Sequence, residues 1–311
     1  MSLVDSILRR FARPSIAELP VDFAHLSAFR AEYFPDSGPK PWLDCDNTSQ
    51  RLEALPPEQA ELCRHWAETG YVVLPKLIPG ALLDAAWQAY EDAVQRGVIR
   101  LASEPAGEGD TLPGRFLNPH KRVRAFCRVA RYPALMRCLE RMLGHPAKLL
   151  QTIASHKGSQ QSAHSDSIHM TTYPLGYLAA AWIAFEDINP DSGPLEFYPG
   201  SHRLPYVFSH HLQISVDDMK HEGYATYRAR YEPLVQEMIA GHGLQPKFFA
   251  ARKGDVLIWH ANLLHGGSRR RDLSLTRKAL VGHYFAKGAF VYHDLSAVAS
   301  RQQYFSGCLV R

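Results

Sequence analysis

Apolar residues along this chain follow a helical period first and a strand period later. Glu58 to Glu68 reads as a helix ended by Gly70, which suits the left-handed position after a helix, and Tyr71 to Leu74 follows as a strand. Pro79-Gly80 opens a second helix, with Leu83, Trp87, Tyr90 and Val94 spaced to give one buried face. A third helix carries Leu135, Leu139, Met142 and Leu143 before Gly144. Strands then take over: Lys148 to Ser155, a short segment at His164–Asp166, Leu178 to Phe185, Leu195 to Tyr198, Val256 to His260, and Arg277 to Phe285. The uninterrupted apolar run of Leu178 to Phe185 fits a strand covered on both faces.

Two stretches break the pattern. Residues 206–246 form a long interruption with helical character from Tyr224 to Gly241, and an insertion of that size in a compact domain serves more often as a lid or binding loop than as filler. Its His210, His211, His221, Tyr224, Tyr227, Arg228 and Arg230 are the candidates for substrate selectivity; the alternative is a solvated helix at the mouth of the core. Residues 1–56 form an N-terminal extension, rich in proline and aromatics from residue 14, expected to wrap a main domain of residues 57–311.

Composition narrows the class. A 311-residue chain that is 46% hydrophobic buries a substantial core, which fits one β-rich domain with helical additions. Lysine and arginine exceed aspartate and glutamate by 35 to 31, a net charge of +4, too small to argue for nucleic acid or an anionic membrane. Cys45, Cys63, Cys127, Cys138 and Cys308 are odd in number and lack CxxC spacing, as expected of free thiols in a reducing, cytoplasmic setting. The N-terminal stretch carries Asp5, Arg9, Arg10 and Arg13 without a signal-peptide core, and no apolar run is long enough to span a bilayer.

The candidate chemistry lies at His164 and Asp166. In extended backbone, residues two apart share a face, so both reach one ion while Ser165 points away. Two imidazoles and one carboxylate leave coordination positions open, the arrangement of non-haem Fe(II) oxygenases. His-x-Asp alone is a weak signal in a chain with sixteen histidines. The third candidate is His265, followed by Gly266-Gly267, which lets backbone approach a ligand closely. Arg277, at the start of the next strand, would return in a hairpin-like path to the metal's neighbourhood, where its guanidinium fork suits a dicarboxylate. Tyr173 is a candidate phenol partner for such a carboxylate. Lys157, Gln160 and Gln161 read as a solvated loop, Arg269-Arg270-Arg271 as a rim patch or merely solvated, and His283 and Tyr284 as core.

Five blocks, WAETGYVVLPKLIPG (66–80), AHSD (163–166), SGPLEFYPGSHR (192–203), KGDVLIWHANLLHGG (253–267) and TRKALVGHYF (276–285), occur in the order seen in the phytanoyl-CoA dioxygenase family, which the chain resembles. The resemblance implies a double-stranded β-helix (jelly-roll, cupin-like) core, Fe(II) held by His164, Asp166 and His265, and 2-oxoglutarate held by Arg277. It implies O2-dependent hydroxylation of a small-molecule or lipid/CoA-like substrate, with release of succinate and CO2. It also implies that His265 rather than His260 is the distal ligand, that His202 is structural, and that Asp166 aligns the chain with hydroxylases rather than halogenases. One departure stands out: where family members often have serine or alanine two residues after the distal histidine, this chain has Gly267 and then Ser268, a candidate to supply the carboxylate hydrogen bond. Two rivals stay open: a cupin-like metal enzyme that does not use 2-oxoglutarate, and a catalytically silent binding protein of the same fold.

Overall fold

Helix α1 (Thr48–Glu53) and α2 (Pro57–Thr69) lead into β1 (Tyr71–Leu74) in a computed structural model that describes residues 41, 43, 48–101, 114–295 and 298–299. The expected extension up to residue 47 lies outside the described residues except at 41 and 43, and Cys45 and Cys308 lie outside them too. Gly70 ends α2 with φ 78°, and an added Cβ there would collide with the His202 ring at 2.5 Å. Both facts require glycine.

Helix α3 (Gly80–Gln95) buries Leu83, Ala86, Trp87, Tyr90 and Ala93, while Val94 is half-buried at the edge of that stripe. After β2 (Arg115–Leu117), α4 (Arg124–Ala130) and α5 (Pro133–Leu143) add Phe126, Leu135, Leu139 and Met142 to the same apolar layer. The strands follow: β3 (Ala147–Ser155), β4 (Thr171–Tyr173), β5 (Leu178–Ala184) and β6 (Leu195–Phe197). The 206–246 interruption holds α6 (Val216–His221) and α7 (Ala225–Gly241). Then come β7 (Lys247–Phe248), β8 (Val256–His260), β9 (His265–Gly267), β10 (Ala279–Ala286), β11 (Phe290–His293) and β12 (Val298–Ala299).

Six strands pair in the order β1-β8-β5-β10-β3-β2, every neighbour antiparallel. Opposite them lies β7-β6-β9, and β12-β11-β4 forms a further small sheet. Strand alternation sorts the core. Ala179, Ala181, Ile183, Ile258, Leu280 and Tyr284 face the helices, whereas Ala180, Trp182, Ala184, Leu257, Trp259 and Ala279 face Leu195 and Phe197 of the small sheet. Both faces of β5 are therefore dry, which explains its continuous apolar run. Each large side chain so buried contributes roughly 2 kcal/mol.

Two expectations need correction. His164–Asp166 is not a strand: His164 makes an isolated bridge to His265, and Asp166 begins a 3-10 turn through Ile168. The turn is set by the Asp166 carbonyl accepting from His169 N at 2.9 Å and Met170 N at 2.8 Å. Ser165 is nonetheless extended, φ −96° and ψ 150°, so the two flanking side chains still project together. Nor is the path from His265 to Arg277 a hairpin. β9 pairs with β6 in the small sheet while β10 lies between β5 and β3 in the large one, so the chain crosses the sandwich. Arg277 precedes β10 rather than starting it.

Helix α7 is more than a solvated cover. Tyr227, Tyr231 and Val235 are buried against Ala163, Ile168 and Leu264, the immediate neighbours of the His-x-Asp segment and of His265. Among the described residues no helix is long and apolar enough to cross a membrane, and Cys63, Cys127 and Cys138 are buried.

Candidate metal centre

His164, Asp166 and His265 come together although the histidines lie far apart in sequence. Each offers one ligand atom, all within 4.8 Å of one another, and all three side chains are buried. The bridge between the two histidines is reciprocal: His164 N donates to His265 O and His265 N to His164 O, both at 2.9 Å. Each ring is pinned at its other nitrogen. His164 Nδ1 lies 2.8 Å from Ser162 O and His265 Nδ1 lies 2.9 Å from Leu263 O. A carbonyl only accepts, so Nδ1 carries the proton in both and Nε2 is left with its lone pair.

Electrostatics favour the ligating forms. Burial, then nearby His265, push the His164 pKa down to about 3. Burial alone would raise the Asp166 carboxyl, but His265 and His283 outweigh it and hold it well below the usual carboxylate range. His283 Nε2 stands 3.5 Å from Asp166 Oδ1 and His265 Nε2 stands 3.6 Å from the same oxygen. Oδ2 accepts from Trp259 Nε1 at 2.9 Å. Ser165 points away from the His164 and Asp166 side chains, as its extended backbone requires: its N donates to Tyr231 Oη at 2.9 Å, and its Oγ lies 3.1 Å from that oxygen.

Arg277 is buried on the same side of the large sheet. Its N donates to His156 O at 2.6 Å, one guanidinium nitrogen donates to Gly193 O at 2.8 Å, and its charge lies 5.9 Å from the Trp182 ring. Nε is buried with no hydrogen-bond partner. Burial, then the nearby Arg115 and Arg270, push its pKa down to about 10. A buried cation with an unused donor is costly and calls for an acceptor anion.

The remaining candidates sort by geometry. Ser268 Oγ donates to Pro194 O at 2.9 Å, so its proton is engaged by backbone. Tyr173 is half-buried on β4 opposite Phe290, whereas Arg277 packs on Gly193, His156 and Trp182. His260 pairs with Ala179 on the helix side of β8, so alternation turns it away while Trp259 faces the triad. His202 braces its loop, with Nε2 3.2 Å from Ala67 O and its carbonyl accepting from Asn262 Nδ2 at 3.1 Å. Gln160 Oε1 accepts from Arg270 N at 3.0 Å, and Arg271 lies 3.6 Å from Asp191 at the surface. Of the insertion's candidates, Tyr224 and Tyr227 reach His169 at 5.8 and 5.2 Å between centroids, and His169 in turn lies 5.7 Å from His164. Arg230 is spent on the carbonyls of Leu212 and Gln213.

Sequence reading missed Trp259, Tyr231 and Arg115, and left His283 as core. Strand alternation carried a signal for two of them, since Trp259 and His283 occupy inward positions on β8 and β10.

A model of the phytanoyl-CoA dioxygenase (PhyH) family matches residues 66–279. The chain belongs to the phytanoyl-CoA dioxygenase family. Ectoine dioxygenase of Halomonas elongata is 26% identical over 242 residues, covering 73% of this chain and 70% of that one. Peroxisomal phytanoyl-CoA dioxygenase of Rattus norvegicus is 29% identical over 135 residues, 41% of this chain, and the match spans only 34% of the rat protein's length. Among solved structures, EctD from S. alaskensis with 2-oxoglutarate and 5-hydroxyectoine superposes with a TM-score of 0.61 at 16% identity, covering 82% of this chain and 84% of that one. The carbocyclase SnoK from nogalamycin biosynthesis gives 0.58 at 18% identity, covering 78% and 88%. These likenesses show the shared jelly-roll fold of this family of oxygenases.

Proposed function

We propose that this member of the family is an Fe(II)- and 2-oxoglutarate-dependent dioxygenase that hydroxylates an unactivated carbon of a small-molecule or lipid-like substrate, releasing succinate and CO2. The observation that carries it is the buried His164, Asp166 and His265 set facing the same interior as a buried arginine with an unused donor. The donor set fits the metal: two neutral imidazoles and one carboxylate suit iron and leave positions free. When bound, Fe(II) with 2-oxoglutarate supplies the activation of O2 for attack on an unactivated C–H bond.

The chain's own residues then do the following. Ser162 O and Leu263 O hold the Nδ1 protons, so the two ligand rings keep one tautomer and one orientation. Trp259 and His283 fix the Asp166 carboxylate. Arg277, with its unused buried donor, would hold a carboxylate of the co-substrate. Trp182, Trp259 and the small sheet keep water from the inner face.

Anaerobic addition of Fe(II) and then 2-oxoglutarate to the apoprotein tests this reading. A weak visible charge-transfer band of the chelated keto acid is expected, weakened in Asp166→Ala and Arg277→Ala. Iron binding without a band overturns it in favour of a metal enzyme that does not use 2-oxoglutarate.

A further inference from the structure

Arg115 faces the same interior as Arg277 and has no role in the chemistry above. It lies on the edge strand β2, opposite Ser155, with Phe116 opposite Ala154 and Leu117 opposite Ile153. Ala154 belongs to the helix-side core and Phe116 packs there. Alternation therefore turns Arg115 to the other face, the face that Ser155 shares with Ala279. Arg277 is tied to the next residue of the same strand end, His156, through its backbone N–H. Two guanidinium groups thus converge on one interior.

The charges around Arg115 identify its surroundings. Burial lowers its pKa from the ordinary arginine value, while Tyr224 and Asp166 act in the opposite direction. Its charge also reaches Arg277, His164 and His169. Asp166 is within ion-pair distance of His265 and His283 rather than of either arginine, and among the described residues no carboxylate pairs with Arg115.

Charge balance then selects a ligand. A divalent iron, Arg115 and Arg277 on one side, against Asp166 and a dianionic co-substrate on the other, leave one positive charge without a partner; Arg270, which also acts on Arg277, stays outside the count because it is only half-buried and turns a guanidinium nitrogen to Leu273 O. An uncompensated charge in a water-poor interior is expensive, so it calls for a monoanion. Tyr224, near enough to act on Arg115, and Tyr227 pack on His169, which itself lies against His164, so the three rings offer an aromatic wall beside the candidate metal site.

We propose that Arg115 binds the carboxylate of the primary substrate, and that the substrate is an organic monocarboxylate whose body lies against His169, Tyr224 and Tyr227. This rests on the dioxygenase reading and sharpens it by naming the substrate class. A single guanidinium with one surplus charge matches a carboxylate better than a doubly charged phosphate monoester.

The test uses the anaerobic Fe(II)–2-oxoglutarate complex, with benzoate and octanoate as probes and benzamide and octanamide as their neutral counterparts, read by perturbation of the charge-transfer band. The acids are expected to perturb the band at millimolar concentration and the amides not. Arg115→Leu should weaken the response to the acids roughly tenfold or more, while 2-oxoglutarate affinity stays within about twofold, and Arg115→Lys should restore part of it. Unchanged thermal midpoints establish that the variants fold. If Arg115→Leu loosens 2-oxoglutarate as Arg277→Ala does, Arg115 serves the co-substrate and the proposal is overturned. It is equally overturned if the amides match the acids, or if neither acid acts on the wild type. Absence of the band in the wild type instead removes the dioxygenase reading beneath it.

Discussion

Trp259 donates its indole proton to Asp166 Oδ2 at 2.9 Å and leans its ring on His265, 4.7 Å between centroids. One side chain on β8 thereby positions two of the three candidate metal ligands. Outer partners of this kind tune metal affinity because they fix the angle at which a ligand presents its lone pair. Trp259→Phe keeps most of the packing and removes the donor. Metal titration should show an affinity loss of about tenfold with the fold retained by circular dichroism. An unchanged affinity would mean that the bond only satisfies the indole.

Tyr231 holds the His-x-Asp segment from outside through Ser165 N at 2.9 Å. Tyr231→Phe leaves that buried N–H without an acceptor, a cost of about 1–3 kcal/mol. Ser165→Ala removes only the hydroxyl and keeps the backbone bond, so it should cost less. Urea denaturation of the two variants checks the order, and the reverse order would place the hydroxyl pair in control.

Gly267 departs from the serine or alanine common in the family, and the structure supplies a reason. An added Cβ there would meet Gln160 N at 2.8 Å and Ser159 Oγ closer still. The 158–161 loop occupies the space a side chain would need, and Gly267 N donates to Gln161 O at 2.9 Å. Gly267→Ala should destabilise the fold by about 1–3 kcal/mol, as overpacking does. Adding Ser159→Ala should not restore stability, because the Gln160 backbone remains in the way; full rescue would show that the serine alone sets the limit.

His120 supplies a pH dependence away from the metal site. It is buried, its Nδ1 lies 2.6 Å from Thr152 Oγ1, and burial, then Lys121 and Arg131, push its pKa down from 6.5 to about 4. A depressed folded-state value means the unfolded chain binds the proton first. Its contribution is complete above pH 6.5 and is lost as pH falls from there toward about 4. The full window corresponds to about 3 kcal/mol. His120→Gln should flatten the fall in denaturation midpoint across this range, and an unaltered slope would assign it to other groups.

The sequence by itself determined the main helices and strands and the candidate ligand set. Helical stripes such as Leu83, Trp87 and Tyr90, and the unbroken run of β5, carry their periodicity locally, so burial follows from spacing. His164 and Asp166 were legible for the same reason, because two extended residues share a face whether or not a ladder surrounds them. Tertiary structure alone decided what holds and surrounds them. Trp259 is 93 positions from Asp166 and Tyr231 is 66 from Ser165. Such pairings depend on strand register and on where α7 docks, and no local spacing encodes either. The hairpin expected between His265 and Arg277 failed on the same ground: β8, β9 and β10 alternate between the two sheets, so nearness in sequence became opposition across the core. Arg115 reached the interior by its register with Ser155, a contact that exists only once β2 has paired at the edge of the sheet.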